Sequence, residues 1–193
     1  MKTLLAAISG VLLIALPLLL LFGLDYLSAR HLAAAFMVVA ALRLILLPAS
    51  TLALPRILPA LLLVLALLVV LSGNTDWFLY YPLAVNTSLL MLFGLSLWRG
   101  PPLIEQLARL REPDLPAAAI PYTRRVTWLW CVFFLCNGTI ALYTALYCSL
   151  QTWAFYNGLL AYLLIGLLLA IEWLVRQFVR QRAQQQARQE HRA

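Results

Sequence analysis

"EPDLPAAAIPYTRRVTWLWCVFF", residues 112–134, sets two acids, three prolines and the adjacent Arg124 and Arg125 against Trp128, Trp130, Phe133 and Phe134. Proline inside a helix removes a backbone hydrogen bond and clashes with the preceding turn, so Pro113, Pro116 and Pro121 are expected to keep this segment extended. The run after Arg125 is apolar and long enough to enter a bilayer. The stretch therefore reads as a re-entry point. Arg124 and Arg125 set the depth of the next span, and Trp128 and Trp130 occupy the interfacial belt just inside it.

Immediately upstream, Pro101 and Pro102 are suited to opening a helix. Over 102–112 the spacing places Leu103, Ile104, Leu107 and Leu110 on one apolar face, with Glu105, Gln106 and Arg109 opposite. Such a segment is expected to lie along the membrane surface as an amphipathic interfacial helix, with Glu105 and Arg109 at ion-pair spacing.

The rest of the chain supports a membrane setting. Of its 193 residues 64% are hydrophobic and 11% charged, with a mean hydropathy of +0.92; a soluble domain carries about 25% charged residues. Six apolar stretches approach or reach the ~20 residues a spanning helix needs: 4–24, 31–47, 56–73, 79–98, 126–148 and 153–174. Only helices satisfy their own backbone in lipid without closing a barrel. The expected fold is thus an all-α, polytopic transmembrane helical bundle of six spans with the interfacial helix between spans 4 and 5. Pro17 leaves open an alternative of five spans plus a re-entrant N-terminal helix. The first block exceeds the apolar core of a secretory leader and no small-residue cleavage site follows it, so a retained helix is expected. Residues 1–176 form one transmembrane domain and 177–193 a basic cytoplasmic tail.

The formal charge of +7 would suggest nucleic acid in a soluble protein. Here the arginines flank apolar runs, and no nucleic-acid partner is expected. With a cytoplasmic N-terminus, Lys2, Arg43, Arg56, Arg99, Arg109, Arg111, Arg124, Arg125 and the tail arginines all lie inside, leaving Arg30 alone outside. That asymmetry is expected to orient the protein in its membrane with the C-terminus cytoplasmic. The tail arginines can also meet anionic lipids.

Chemistry is sparse. His31 and His191 lack a second ligand at metal spacing, so neither a metal nor another cofactor is expected. Asp25, Ser28 and His31 belong to a small polar cluster without a nucleophile elbow or oxyanion motif, and no catalytic residues are assigned. Cys131, Cys136 and Cys148 read as reduced packing residues. The better candidates are polar groups within spans, where an unpartnered side chain is expensive: Asn86, Asn137 and Asn157 as an intramembrane polar cluster, and Arg43 with Glu172 as an ion pair. The ordinary role of such amides is to bond helices together; a polar cavity for a headgroup is the alternative.

The order of "PPLIEQLARLREPDLP" (101–116), "YTRRVTWLWCVFFLCNG" (122–138), "ALYTAL" (141–146) and "TWAFYNGLLAYLLIG" (152–166) resembles the small bacterial inner-membrane proteins of the intracellular septation protein A kind. A closer likeness is to an uncharacterised bacterial membrane family whose genes sit beside aryl polyene or xanthomonadin-type pigment pathways. The resemblance implies a non-enzymatic scaffolding or regulatory role in cell-envelope biogenesis or septation, exercised through other inner-membrane proteins. The alternative is a small transporter or lipid-handling protein tied to a lipid-linked pigment pathway.

Overall fold

The computed structural model describes residues 28–46, 54–110, 112–113, 115–116 and 119–190, with side chains through 177 except at 29, 46, 54 and 55. Among them every regular element is helical. The expected block 4–24, Asp25 and the tip of the tail lie outside the described residues.

Helices α1 (Ala29–Leu46) and α2 (Leu54–Ser72) form a hairpin. Leu32, Ala33, Phe36 and Ala40 of α1 share a core with Leu62, Leu65, Ala66 and Val69 of α2. Ala33, Ala40 and Ala66 are fully buried; small side chains at such crossings let two helices approach closely. Gly73 ends α2 in the left-handed region at φ 70°, and its N–H returns to Val69 O at 2.8 Å. This is the termination that glycine performs without a Cβ penalty. Asn74 then caps a 3₁₀ turn, Thr75–Tyr80, by accepting the Asp76 N–H at 2.8 Å. Phe78 of that turn is fully buried, edge-on to Phe36 at 5.3 Å, and fastens the turn to the hairpin.

The turn runs directly into α3 (Tyr81–Arg99), whose principal partner is α5 (Ile120–Tyr147). Phe93 of α3 packs on Trp130 and Phe134 of α5, at centroid distances of 6.4 and 5.1 Å. Between α3 and α5 lies the short α4 (Leu103–Arg109). Leu103 is buried in the α3–α5 core, and its N–H is held by Ser96 Oγ at 2.9 Å. The last helix comprises α6 (Leu150–Phe155), a π-helical turn (Tyr156–Leu160) and α7 (Ala161–Glu190). Trp153 Nε1 donates to Leu79 O at 3.1 Å, joining its start to the 3₁₀ turn.

Three helical stretches among the described residues are long and apolar enough to cross a membrane: Thr75–Arg99, Ile120–Tyr147 and Leu150–Gln177; Arg56–Ser72 is a shorter apolar helix. Each of the three begins several residues before the expected span. Polar or proline residues open them: Asn74 and Ser149 cap two starts, and Pro121 sits in the first turn of the third. Pro121 is therefore a helix starter and not a breaker, because its missing N–H falls where none is needed.

Other expectations are corrected. The helix expected over 102–112 is confined to Leu103–Arg109. Glu105, expected on its outer polar face, is 4% exposed, and its charge is met by Arg109, one turn on, at 2.8 Å. Trp130 is buried in the aromatic core and Trp128 is exposed, since residues two apart on a helix face nearly opposite ways. Cys131 is buried, Cys148 half-buried, and Cys136 faces outward.

Gly138 of α5 sits close against α3: a Cβ there would lie 3.1 Å from Asn86 Cβ. Gly138→Val is expected to lower stability by about 1–3 kcal/mol, read as a fall in the thermal unfolding midpoint in detergent. Gly94→Ala, which meets open space on α3, should leave it unchanged or slightly raised.

Candidate functional site

Asn86, Asn137 and Asn157 are 7%, 5% and 3% exposed and come from three different helical elements. Two of them form a directed relay. Tyr156 Oη donates to Asn137 Oδ1 at 2.8 Å, Asn137 Nδ2 donates to Asn86 Oδ1 at 3.1 Å, and Asn86 Nδ2 donates to Pro82 O at 2.8 Å. The backbone carbonyl at the end can only accept, so it orients every amide before it. Gly138, one residue from Asn137, allows the backbones close enough for the 3.1 Å bond.

Asn157 stands beside this relay. Its Nδ2 donates to Trp153 O at 2.9 Å and to Thr144 Oγ1 at 3.2 Å, while its Oδ1 is buried without a partner. Reversing the amide would set its oxygen against a carbonyl, so the orientation is fixed. The π turn supplies the local geometry. Its extra residue per turn brings Tyr156 and Asn157 inward together, an arrangement often found at functional sites.

All three asparagines line a cavity of about 230 Å³ between α2, α3, α5 and the last helix, with Tyr81 and Tyr162 also on its wall. A second cavity of about 600 Å³ lies toward the Arg176 end, bounded by Leu107 of α4, Phe93 of α3, Trp130 of α5, and Glu172 and Arg176 of α7. Leu89, Phe134 and Ile165 belong to both walls, so the two cavities adjoin and are described together as a cleft. Little of the last helix is buried, 6% of its apolar stretch, although Ile165 and Leu168 rest on the aromatic core. It is tied at one end by Trp153, and at the other by Tyr122 Oη, which donates to Glu172 at 3.2 Å.

Glu172 is engaged by Arg176, one turn on, at 2.7 Å. The partner expected for it, Arg43, sits in the last turn of α1, which packs principally on α2. An i,i+4 pair forms within one helix turn and needs no approach of two helices, which is why it takes the carboxylate. Of the expected interfacial face, Leu103 is buried, Ile104 and Leu107 line the cleft, and Leu110 is exposed beside it. Arg124 and Arg125 lie exposed in the second turn of α5, with Arg124 Nη2 3.5 Å from Leu97 O. His31 opens α1, its Nδ1 2.7 Å from Ser28 Oγ. Among the described residues no three His, Cys, Asp or Glu side chains gather as metal ligands do.

Two participants were invisible in the sequence. Tyr156 looked like any aromatic of an apolar span, and the pairing of Tyr122 with Glu172 joins residues far apart in the chain. The cleft as a whole offers hydrogen-bond acceptors and amides at one end, apolar and aromatic walls along its length, and paired charges at the other. No family model, curated protein or solved structure matches the chain.

Removing the central amide should expose the relay's energy. Asn137→Leu is expected to cost about 1–2 kcal/mol in detergent unfolding. A double-mutant cycle with Tyr156→Phe should give a coupling of about 0.5–1.5 kcal/mol; additive effects would show that the two side chains act separately.

Proposed function

We propose that this protein is a non-enzymatic, six-span protein of the bacterial inner membrane that holds a lipid-like amphiphile in the cleft between α3, α5 and the last helix. The observation that carries this reading is the cleft's polarity: paired charges at one mouth, an apolar middle, and three buried asparagines at the far end. Pockets of a few hundred Å³ with apolar walls and a few convergent polar groups are the usual form of small-molecule sites. A packing role for the amides accounts for Asn86 and Asn137. It leaves unexplained why a cavity adjoins them and why Asn157 keeps an unmatched acceptor.

In this reading α1 and α2 complete the bundle, the block 4–24 supplies the first span, and α4 lies at the cytoplasmic interface over the mouth of the cleft. The arginine asymmetry supports a cytoplasmic C-terminus, with the tail on anionic lipid. The septation-like and pigment-neighbourhood resemblances support a place in cell-envelope biogenesis, in which the amphiphile is a lipid-linked intermediate. The scaffolding reading has one specific observation in its favour: the last helix presents Leu163, Leu167 and Trp173 outward, unburied. A partner inner-membrane protein seated there would cover them.

Two experiments test these statements. Topology reporters should read cytoplasmic after Ala193 and periplasmic near Asn74 and Gln151. Native mass spectrometry of protein released from nanodiscs should show a retained amphiphile that survives detergent exchange. Ile165→Trp, which fills the shared wall of the cleft, should abolish that retention while leaving the unfolding midpoint near that of the wild type. Retention unaffected by a filled cleft would locate the amphiphile elsewhere and favour the scaffold.

A further inference from the structure

The amphiphile reading leaves the headgroup unnamed, and Glu172 narrows it. Three donors meet this carboxylate, all of them on one oxygen: Tyr122 Oη at 3.2 Å, Arg176 Nε at 2.9 Å and Arg176 Nη2 at 2.7 Å reach Oε1. Among the described residues Oε2 has no hydrogen-bond partner, and it is not sealed off as Asn157 Oδ1 is. The Glu172 side chain is 9% exposed and forms part of the wall of the cavity of about 600 Å³. A carboxylate oxygen so little exposed to water is costly until a donor matches it. Arg176 is also only partly engaged. Its Nε and Nη2 are committed to Glu172, which leaves Nη1 without a partner among the described residues.

Charge and depth supply the other constraints. Among the described residues Glu172 and Arg176 are the only charged side chains on that wall, so it presents one group of each sign and no net charge. A purely anionic headgroup gains from Arg176 and loses to Glu172, and a purely cationic one does the reverse; a headgroup with both signs gains from each. Its positive group must also donate a hydrogen bond, which a primary ammonium does and a quaternary one, having no N–H, does not. The pair stands where the apolar run of the last helix gives way to the arginines and glutamines of the tail, near the level of lipid headgroups. Phe93, Leu107, Trp130 and Ile165 line the cavity beside it and offer an acyl chain an apolar wall.

On these grounds, and resting on the amphiphile reading above, we infer that the cavity walled by Glu172 and Arg176 takes a phospholipid whose headgroup is zwitterionic and carries a primary ammonium, as an ethanolamine phosphate does. The ammonium donates to Glu172 Oε2, and the phosphate accepts from Arg176 Nη1. Tyr122 holds the carboxylate from α5, so that Oε1 stays engaged while Oε2 receives the ligand. The apolar wall selects the lipid over the free headgroup.

The test uses full-length protein purified in detergent and titrated with phospholipids that share the same acyl chains, with binding read by native mass spectrometry. Phosphatidylethanolamine should bind about tenfold more tightly than phosphatidylcholine or phosphatidylglycerol, the lower end of what a charge-assisted hydrogen bond supplies. The dimethylated ethanolamine lipid keeps one N–H and should bind within about threefold of the parent; a loss as large as that for choline would show that bulk decides, and would overturn the donor assignment. In Glu172→Gln the preference over phosphatidylglycerol should fall to within about twofold, because the carboxylate that repels the anionic lipid is gone. A full preference kept by that variant would remove Glu172 from the site. Equal binding of all three headgroups by the wild type would overturn the zwitterion and leave an unselective amphiphile site. Displacement of bound lipid by glycerophosphoethanolamine, which has the headgroup without acyl chains, would overturn the lipid as its source; no displacement is expected. Failure of every lipid to bind would instead remove the amphiphile reading itself. The comparison of headgroups on the wild-type protein stands whether or not Glu172→Gln folds.

Discussion

The contact of Gly138 with Asn86 is the constraint on which the rest of the bundle depends. Inside a bilayer there is no water to expel between helices, so association rests on close van der Waals packing and on polar groups that find each other. At this point α3 and α5 obtain both. The missing side chain of Gly138 admits Asn86 to a distance that any Cβ would contest, and the same approach lets Asn137, one residue earlier, reach Asn86 at 3.1 Å. Above and below the crossing, packing is aromatic or aliphatic and replaceable. The crossing itself fixes the register of α3 against α5, and with it the position of Phe93 against Phe134 and of Tyr156 against the relay.

Much of the architecture could be read from the sequence, for a reason specific to membranes. The cost of an exposed backbone in lipid forces apolar blocks into helices, and Thr75–Arg99, Ile120–Tyr147 and Leu150–Gln177 fall where three expected spans do. Their starts were misplaced because helix caps are polar: Asn74, Ser149 and Pro121 look like loop residues until they are seen satisfying or omitting first-turn N–H groups. For Trp130 the sequence pattern spoke only of depth, whereas its packing follows from which face of α5 meets Phe93. The burial of Glu105 is a tertiary outcome that the face pattern of a seven-residue helix does not contain.

The candidate site was legible only as a set of residue types. Three asparagines within spans are a local signal, and it pointed to Asn86, Asn137 and Asn157. Their arrangement is not local. Which amide donates to which depends on Pro82 O and Trp153 O, and the inward turn of Asn157 depends on the π-helical residues Tyr156–Leu160. The Arg43–Glu172 expectation rested on both residues lying near the same membrane face, but the short-range competitor Arg176 was already present one turn along the same helix. Proximity in depth is a weak guide when a partner at i+4 is at hand.

The last helix is held by polar ties near both ends: Trp153 on Leu79 O, Tyr156 on Asn137 and Asn157 on Thr144 toward its start, and Tyr122 on Glu172 toward its far end. Between Asn157 and Glu172 its contacts with the bundle are apolar, with Ile165 and Leu168 resting on the aromatic core. Apolar contact is non-directional. The middle of the helix can therefore slip over that core at small cost while the polar ties keep both ends in register.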